Sequence, residues 1–302
     1  MRARMPVGVG CLFLLPGIIA AAEPPPPETV ASGAKLVAVY GDERFFEGPT
    51  WDPKGQKLYF TAFGKDTQVL RLDGAGKVSV WMDKTAGVNG TYLSKEGRLL
   101  GAAAYGHQVV SLAFGYDRAY DPQVLHSDAK LNQPNDLCQA PNGNIYFTDP
   151  DFDRRKTSAV FLLTPQGKAT KIITDMPVPN GIKTSLDGKT LYVGDSHQLL
   201  WKSYPIKEDG TVGPGKVFFN PDTPNKNPPD GMCLDEEGNL YFSGRGGVWV
   251  VNPDGKSLGL IAIPEFCSNC TFGGKDGKTL FMTCSKKVYS LQMTARGGLL
   301  RK

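Results

Sequence analysis

Six oxygen-bearing side chains recur along the chain at near-regular intervals. They are Glu47, Asn89, Asn135, Asn180, Asp230 and Asn269, separated by steps of 42, 46, 45, 50 and 39 residues. Gly48, Gly90, Gly181 and Gly231 follow four of them, while Asp136 and Cys270 follow the other two. Asn-Gly and Asp-Gly are common tight-turn dipeptides, which accounts for Asn89 and Asn269 as readily as chemistry does. Turn preference explains Glu47 poorly, since Glu is not a favoured turn residue. Two carboxylates and several carboxamides converging on one axis would instead form a hard-oxygen site, suited to Ca²⁺, or to Mg²⁺ or Mn²⁺ with more retained water. Without a cation, carboxylates facing one another across a narrow space would repel and titrate high. The set contains no His, which argues against a structural zinc.

The elements that must position these residues are visible as an internal repeat. Residues 53–60, 141–147, 186–193, 235–242 and 275–282 each place a Gly-centred turn before a short β-branched or aromatic run, and 95–100 is a degenerate sixth copy. Each turn lies between short apolar runs, giving three or four strands per repeat. Six such repeats of about 40–50 residues predict an all-β, six-bladed β-propeller. The polar residue stands before the first strand of each repeat, so the six should ring one mouth of the central channel. The chain has 302 residues, a length that by itself suggests two domains of about 150 residues. The repeat replaces that expectation with one closed ring. The 36 Gly and 23 Pro, well above the usual share, fit many short elements joined by turns.

Residues 1–22 read as a secretory leader: Arg2 and Arg4, an apolar stretch too short to span a bilayer, then Ala20-Ala21-Ala22. The expected order is a leader at 1–22, a Pro-rich linker at 23–33, the propeller at 34–293 and a C-terminal tail at 294–302. Residues 34–40 are expected to complete the last blade. The protein is therefore expected to be exported, periplasmic or secreted, with no membrane association after the leader is removed. A net charge of +4, half of it in the leader, and the absence of Lys/Arg blocks speak against nucleic acid as a partner. Cys267-x-x-Cys270 lacks the second pair a zinc site would need. Cys138 and Cys233 read as small buried residues, and a Cys267–Cys284 or Cys270–Cys284 disulfide is compatible with export. Nothing in the sequence speaks to oligomeric state.

Glu47-Gly48-Pro49-Thr50-Trp51, Pro134-Asn135-Asp136, Pro179-Asn180-Gly181 and Pro229-Asp230-Gly231-Met232 together resemble the successive signature motifs of the gluconolactonase/regucalcin-like family. The run from Asn135 to Pro150 is similar to its bacterial gluconolactonase branch in particular. The resemblance covers nearly all of residues 34–293 in order and phase. It implies a six-bladed propeller with a divalent cation in the central channel and hydrolysis of a lactone, a sugar lactone of the gluconolactone type. Glu47, Asn180 and Asp230 match the direct metal ligands, and Asn135 matches an Asn that contacts both metal and substrate. The related phosphotriesterase-like propellers and lactonase drug-response proteins use the same Glu, Asn, Asn, Asp set.

The implied cofactor is Ca²⁺ first, with Mg²⁺, Mn²⁺ or Zn²⁺ as alternatives. The implied mechanism polarises the lactone carbonyl and lets water attack, with Asp230 and Asn135 as the catalytic residues. Whether Asp230 is a base or only a ligand stays open. Gln133 stands where some members carry a basic sugar contact, which leaves the particular lactone open. Gln133, His107 and Asn135 are the candidate substrate contacts. Asp149 would either bind a second ion or close a turn. His126 and His197 default to surface or loop packing, and the four Trp to inter-blade packing. A Gly-x-Ser-x-Gly elbow and a Gly-x-Gly-x-x-Gly loop are both absent, which excludes a serine esterase of that type and a dinucleotide site. The alternative from a different class is a non-catalytic propeller whose cation organises a ligand- or partner-binding surface.

Overall fold

The computed structural model describes residues 24–115 and 117–300. The expected leader at 1–22 lies outside the described residues. Six four-stranded antiparallel sheets form the blades of a propeller. Their innermost strands are Phe45–Asp52, Val88–Leu93, Leu137–Gln139, Pro179–Thr184, Met232–Leu234 and Cys267–Gly273. The sixth blade is completed by an N-terminal strand, Val37–Gly41, which pairs with Lys287–Gln292. This pairing joins the two ends of the chain and closes the ring.

Each blade's second strand carries alternate residues to its two faces. Tyr59 and Phe60, Tyr146 and Phe147, and Tyr241 and Phe242 are all fully buried in this way, against neighbouring blades. The tryptophans belong to the same packing. Trp81 packs on Phe114 of the next blade at 5.6 Å and Trp201 stacks on Phe242 at 4.9 Å. Trp51 stacks on Phe281 of the sixth blade, across the closure of the ring. Inter-blade packing thus uses them all, since Trp249 is buried against Phe219 as well.

The polar residue and its glycine do not sit in the hairpin turns. The Gly-centred turns lie at the opposite end of the blades, between first and second strands. The first-to-second strand ladders slip at Glu47/Thr50, Val88/Thr91, Pro179/Ile182 and Cys267/Asn269. Glu47, Asn89, Asn180 and Asn269 therefore stand at bulges inside their strands rather than ahead of them, while Asn135 and Asp230 lie two residues before Leu137 and Met232, where their strands begin. A bulge frees a residue from strict alternation and re-aims its side chain, here toward the axis. The glycines serve close approach. A Cβ on Gly181 would overlap the Asp230 carbonyl of the next blade, and one on Gly231 would overlap the Asn269 carboxamide.

Residues 24–33 and 294–300, read from the sequence as linker and tail, are docked on the blades. Val30 bridges to Met293, and the Pro25 carbonyl accepts the Leu260 amide at 3.1 Å. Proline lacks a donor but keeps its carbonyl, so the segment can cap an outer strand edge without extending the sheet. Gly297 bridges to Asp235, and a 3-10 turn at Gly298–Leu300 closes the channel at the end away from the polar ring.

Gly181→Ala is expected to cost roughly 1–3 kcal/mol or more through overpacking at the blade contact. Gly74→Ala, where a Cβ meets nothing within 4 Å, should stay within about 0.5 kcal/mol of wild type. Urea denaturation of the two variants checks the contrast.

Candidate functional site

At the mouth defined by the six inner strands, Glu47 is buried and held by two neighbours. The Gly48 amide donates to its Oε2, as does the Asn269 side-chain amide at 3.0 Å. The same Asn269 Nδ2 lies 3.4 Å from Asp136 Oδ2, so one carboxamide spans two carboxylates. Asn180 Nδ2 donates to Ser196 Oγ at 3.1 Å, and that hydroxyl donates to the Pro229 carbonyl at 2.6 Å. This relay orients the Asn180 carboxamide with its oxygen free, beside the Asp230 carboxylate. Asn135 is buried, and Asp230 is half-buried.

Three carboxylates share this space. Burial, and then the neighbouring Asp136 charge, push the Glu47 carboxyl up to about 8. Burial pushes Asp136 up to about 6, against the opposing influence of the Lys183 ammonium. Asp230 is raised well above the usual carboxylate range by its withdrawal from water and by the charges of Glu47 and Asp136. Lys183 lies further along the channel with its Nζ 4.7 Å from the Tyr92 ring centroid.

The donor set fits a hard cation. Glu47 Oε1, Asn89 Oδ1 and Asn180 Oδ1 are buried with no hydrogen-bond partner. Buried acceptors without donors cost about 1–3 kcal/mol each, and an oxygen-seeking cation would satisfy them. Among the described residues no three His, Cys, Asp or Glu side chains are grouped to hold a metal. A cation here must therefore draw on carboxamide oxygens, which favours Ca²⁺ or Mg²⁺ over Zn²⁺.

The remaining candidates lie around the same mouth. Asp149 Oδ2 accepts the Asn132 amide at 2.9 Å and its side chain at 3.1 Å, which closes the loop leading to Asn135. Its Oδ1 is buried and unpartnered. Gln133 is half-buried in that loop, its backbone N–H also directed to Asp149. His107 sits in a left-handed conformation (φ 51°) at the turn after the second strand of blade two, with Nδ1 buried and unpartnered. His197 packs against the Arg155 guanidinium at 2.9 Å.

Sequence reasoning gave no role to Asp136, which replaces the glycine that follows the ring residue elsewhere. It also passed over a set of buried hydroxyls. Thr61 Oγ1 donates to the Asn89 carbonyl at 3.0 Å, Ser243 Oγ to the Gly231 and Ser268 carbonyls at 2.8 and 2.7 Å, and Thr283 Oγ1 to the Asn269 carbonyl at 3.3 Å. With Thr148, which accepts the Asp136 amide at 3.1 Å, they hold backbone groups at and beside the ring residues. The available signal was a Thr or Ser directly after the repeated aromatic pair. The cysteines are also arranged differently from one expectation. Cys267 is the ladder partner of Cys284, but Cys270 pairs with Met282 because the ladder slips at Ser268. All five described cysteines are free and buried.

Known proteins resemble this chain in sequence and fold. The chain is 29% identical to a gluconolactonase of Zymomonas mobilis, over 87% of this chain and 82% of that protein. It is 26% identical to the pentonolactonase XacC of Haloferax volcanii, over 80% of this chain and 81% of that protein. A solved Xanthomonas campestris structure, described as a gluconolactonase important in glucose secondary metabolic pathways, superposes with a TM-score of 0.78 at 28% identity. It covers 91% of this chain and 96% of its own. Residues 45–286 match the SMP-30/Gluconolactonase/LRE-like region, a span that holds the whole polar ring. The chain belongs to the SMP-30/gluconolactonase/LRE-like family.

Proposed function

We propose that this protein is a lactone hydrolase that acts on a sugar lactone of the gluconolactone type and depends on a divalent cation, Ca²⁺ first, held by Glu47, Asn135, Asn180 and Asp230. The observation that carries the reading is the convergence of unpartnered Glu47 and Asn180 oxygens with the Asp230 carboxylate at one channel mouth. The named lactonases among its relatives support the reaction class. When bound, the cation supplies Lewis acidity toward the lactone carbonyl oxygen.

The chain's own residues supply the rest. Asn135 is fixed by its N–H to the Thr148 carbonyl at 2.9 Å and by its carbonyl to the Gly90 amide at 2.7 Å, which leaves its carboxamide to orient the ester. Asp230 is the half-buried carboxylate of the ring, placed to accept a proton from the attacking water. Its amide donates to the Ser243 carbonyl at 3.1 Å, so the base is held by the blade rather than by a mobile loop. Gln133 and His107 are the candidate contacts to the sugar hydroxyls. The chain is exported by its N-terminal leader, and fractionation of the producing cell should place it outside the cytoplasm; a cytosolic protein would refute export.

Purified protein should release acid from glucono-1,5-lactone in a chelator-sensitive way, and activity should return with added Ca²⁺. A cation-loaded protein inert toward a broad lactone panel would point to the binding-platform alternative. Asp230→Asn should retain the cation and lose roughly 10²–10⁴-fold in kcat, the usual scale of a general base; full activity would leave Asp230 a ligand only.

The pH dependence of stability has a definite sign. The Glu47 carboxyl rises from an ordinary 4.5 to about 8 on folding, so its protonated form is favoured in the native state. Its contribution to stability is complete below about pH 4.5 and lost as pH rises through about 8. The cation-free protein should therefore melt at lower temperature as pH rises across that window. Glu47→Gln should flatten the fall. Ca²⁺ at about 100 times its Kd should add about 2.7 kcal/mol at neutral pH.

A further inference from the structure

The Cys233 and Cys270 sulfurs lie 3.4 Å apart, closer than any role in the proposed hydrolysis requires. They belong to the inner strands of blades five and six and line the channel cavity just beneath the oxygen ring. We propose that these two cysteines form a disulfide that ties blade five to blade six when the chain folds in an oxidising compartment.

A disulfide needs an S–S distance of about 2.05 Å, so the sulfurs must close by only about 1.4 Å, shared between two side chains. The alternative pair lies within one blade: Cys267 and Cys284 are ladder partners whose thiols also interact, so a ladder already holds them together. A Cys233–Cys270 link would join positions 37 residues apart in different sheets, where no ladder already holds them. Chain closure of that length restricts the unfolded ensemble more than a short cross-strand link does. It would also fix a functional contact. Cys270 directly follows Asn269, whose carboxamide spans Glu47 and Asp136.

The chemistry balances by exchange. Each cysteine gives up its thiol hydrogen, one sulfur–sulfur bond forms, and an exchangeable disulfide of a small thiol or a thiol oxidoreductase accepts the two electrons and leaves as two thiols. Burial raises the Cys233 thiol well above its ordinary range, so exchange belongs to the folding stage, before the inner strands pack. In the cell the oxidant depends on the export reading; in vitro the pairing does not.

The full chain can be reduced, unfolded and refolded with Ca²⁺ in a mixture of reduced and oxidised glutathione. Alkylation under denaturing conditions and peptide mass analysis follow. The expected product is a linked peptide pair containing Cys233 and Cys270, about 2 Da lighter than the two reduced peptides together. Oxidised wild type should also melt higher than its reduced form, and Cys233→Ala should abolish that difference. Complete alkylation of both cysteines, or a Cys267–Cys284 link in their place, would overturn the proposal. The mapping on wild type needs no variant to fold. Detection of the link in refolded protein alongside a cytosolic location in cells would refute export and uphold the pairing.

Discussion

Three carboxylates, Glu47, Asp136 and Asp230, are held together at one end of a channel in which water cannot fully screen them. Most of the inner architecture follows from the need to hold them there. Charges of one sign in a low-dielectric space repel by several kcal/mol unless protonated or neutralised by a counter-ion. The protein keeps them converged by covalent and packing constraint. Bulges turn the side chains inward, glycines let one blade's backbone touch the next blade's ring residue, and Asn269 bridges Glu47 to Asp136. Lys183 gives partial compensation on the channel side. What is left unsatisfied is oxygen, and it faces the mouth.

This arrangement divides the propeller into two ends with different jobs. At one end are the Gly-centred hairpins and the turn at Gly298–Leu300, which close the channel. At the other are the ring and the loops that carry Gln133, His107 and Asp149. Hydroxyls on the second strands, Thr61, Thr148, Ser243 and Thr283, connect the two levels. They hold backbone carbonyls and amides at and beside the ring residues, and so stabilise in the core the irregular backbone that aims the ring.

Much of this was legible in the sequence because a repeat turns one-dimensional spacing into a circle. The six positions could be placed at one mouth from their steps alone, and residues 34–40 could be assigned to the closing blade. The turn reading of Asn89-Gly90 stayed open for a physical reason: Asn-Gly has the same spelling in a tight turn and at a blade–blade contact, and only the packing partner separates them. Asp136 escaped notice because it stands where the other repeats carry glycine or cysteine, just ahead of the strand Leu137–Gln139, and the irregular backbone that brings it to the axis has no code of its own. The Cys233–Cys270 proximity joins two blades, and ladder slippage at Ser268 decides it. Docking of residues 24–33 and 294–300 was equally unreadable, since it rests on backbone hydrogen bonds that any residue can make.

The raised carboxylates of Glu47 and Asp230 would become the counter-charge of a bound cation. This central claim is tested most directly by calorimetric titration of the metal-free protein with Ca²⁺ at pH 7 in buffers of different ionisation enthalpy, which counts protons released on binding. With Glu47 held near 8 and Asp230 raised as well, one cation should bind and displace about one proton or more. Absence of binding, or binding without proton release, would contradict the account.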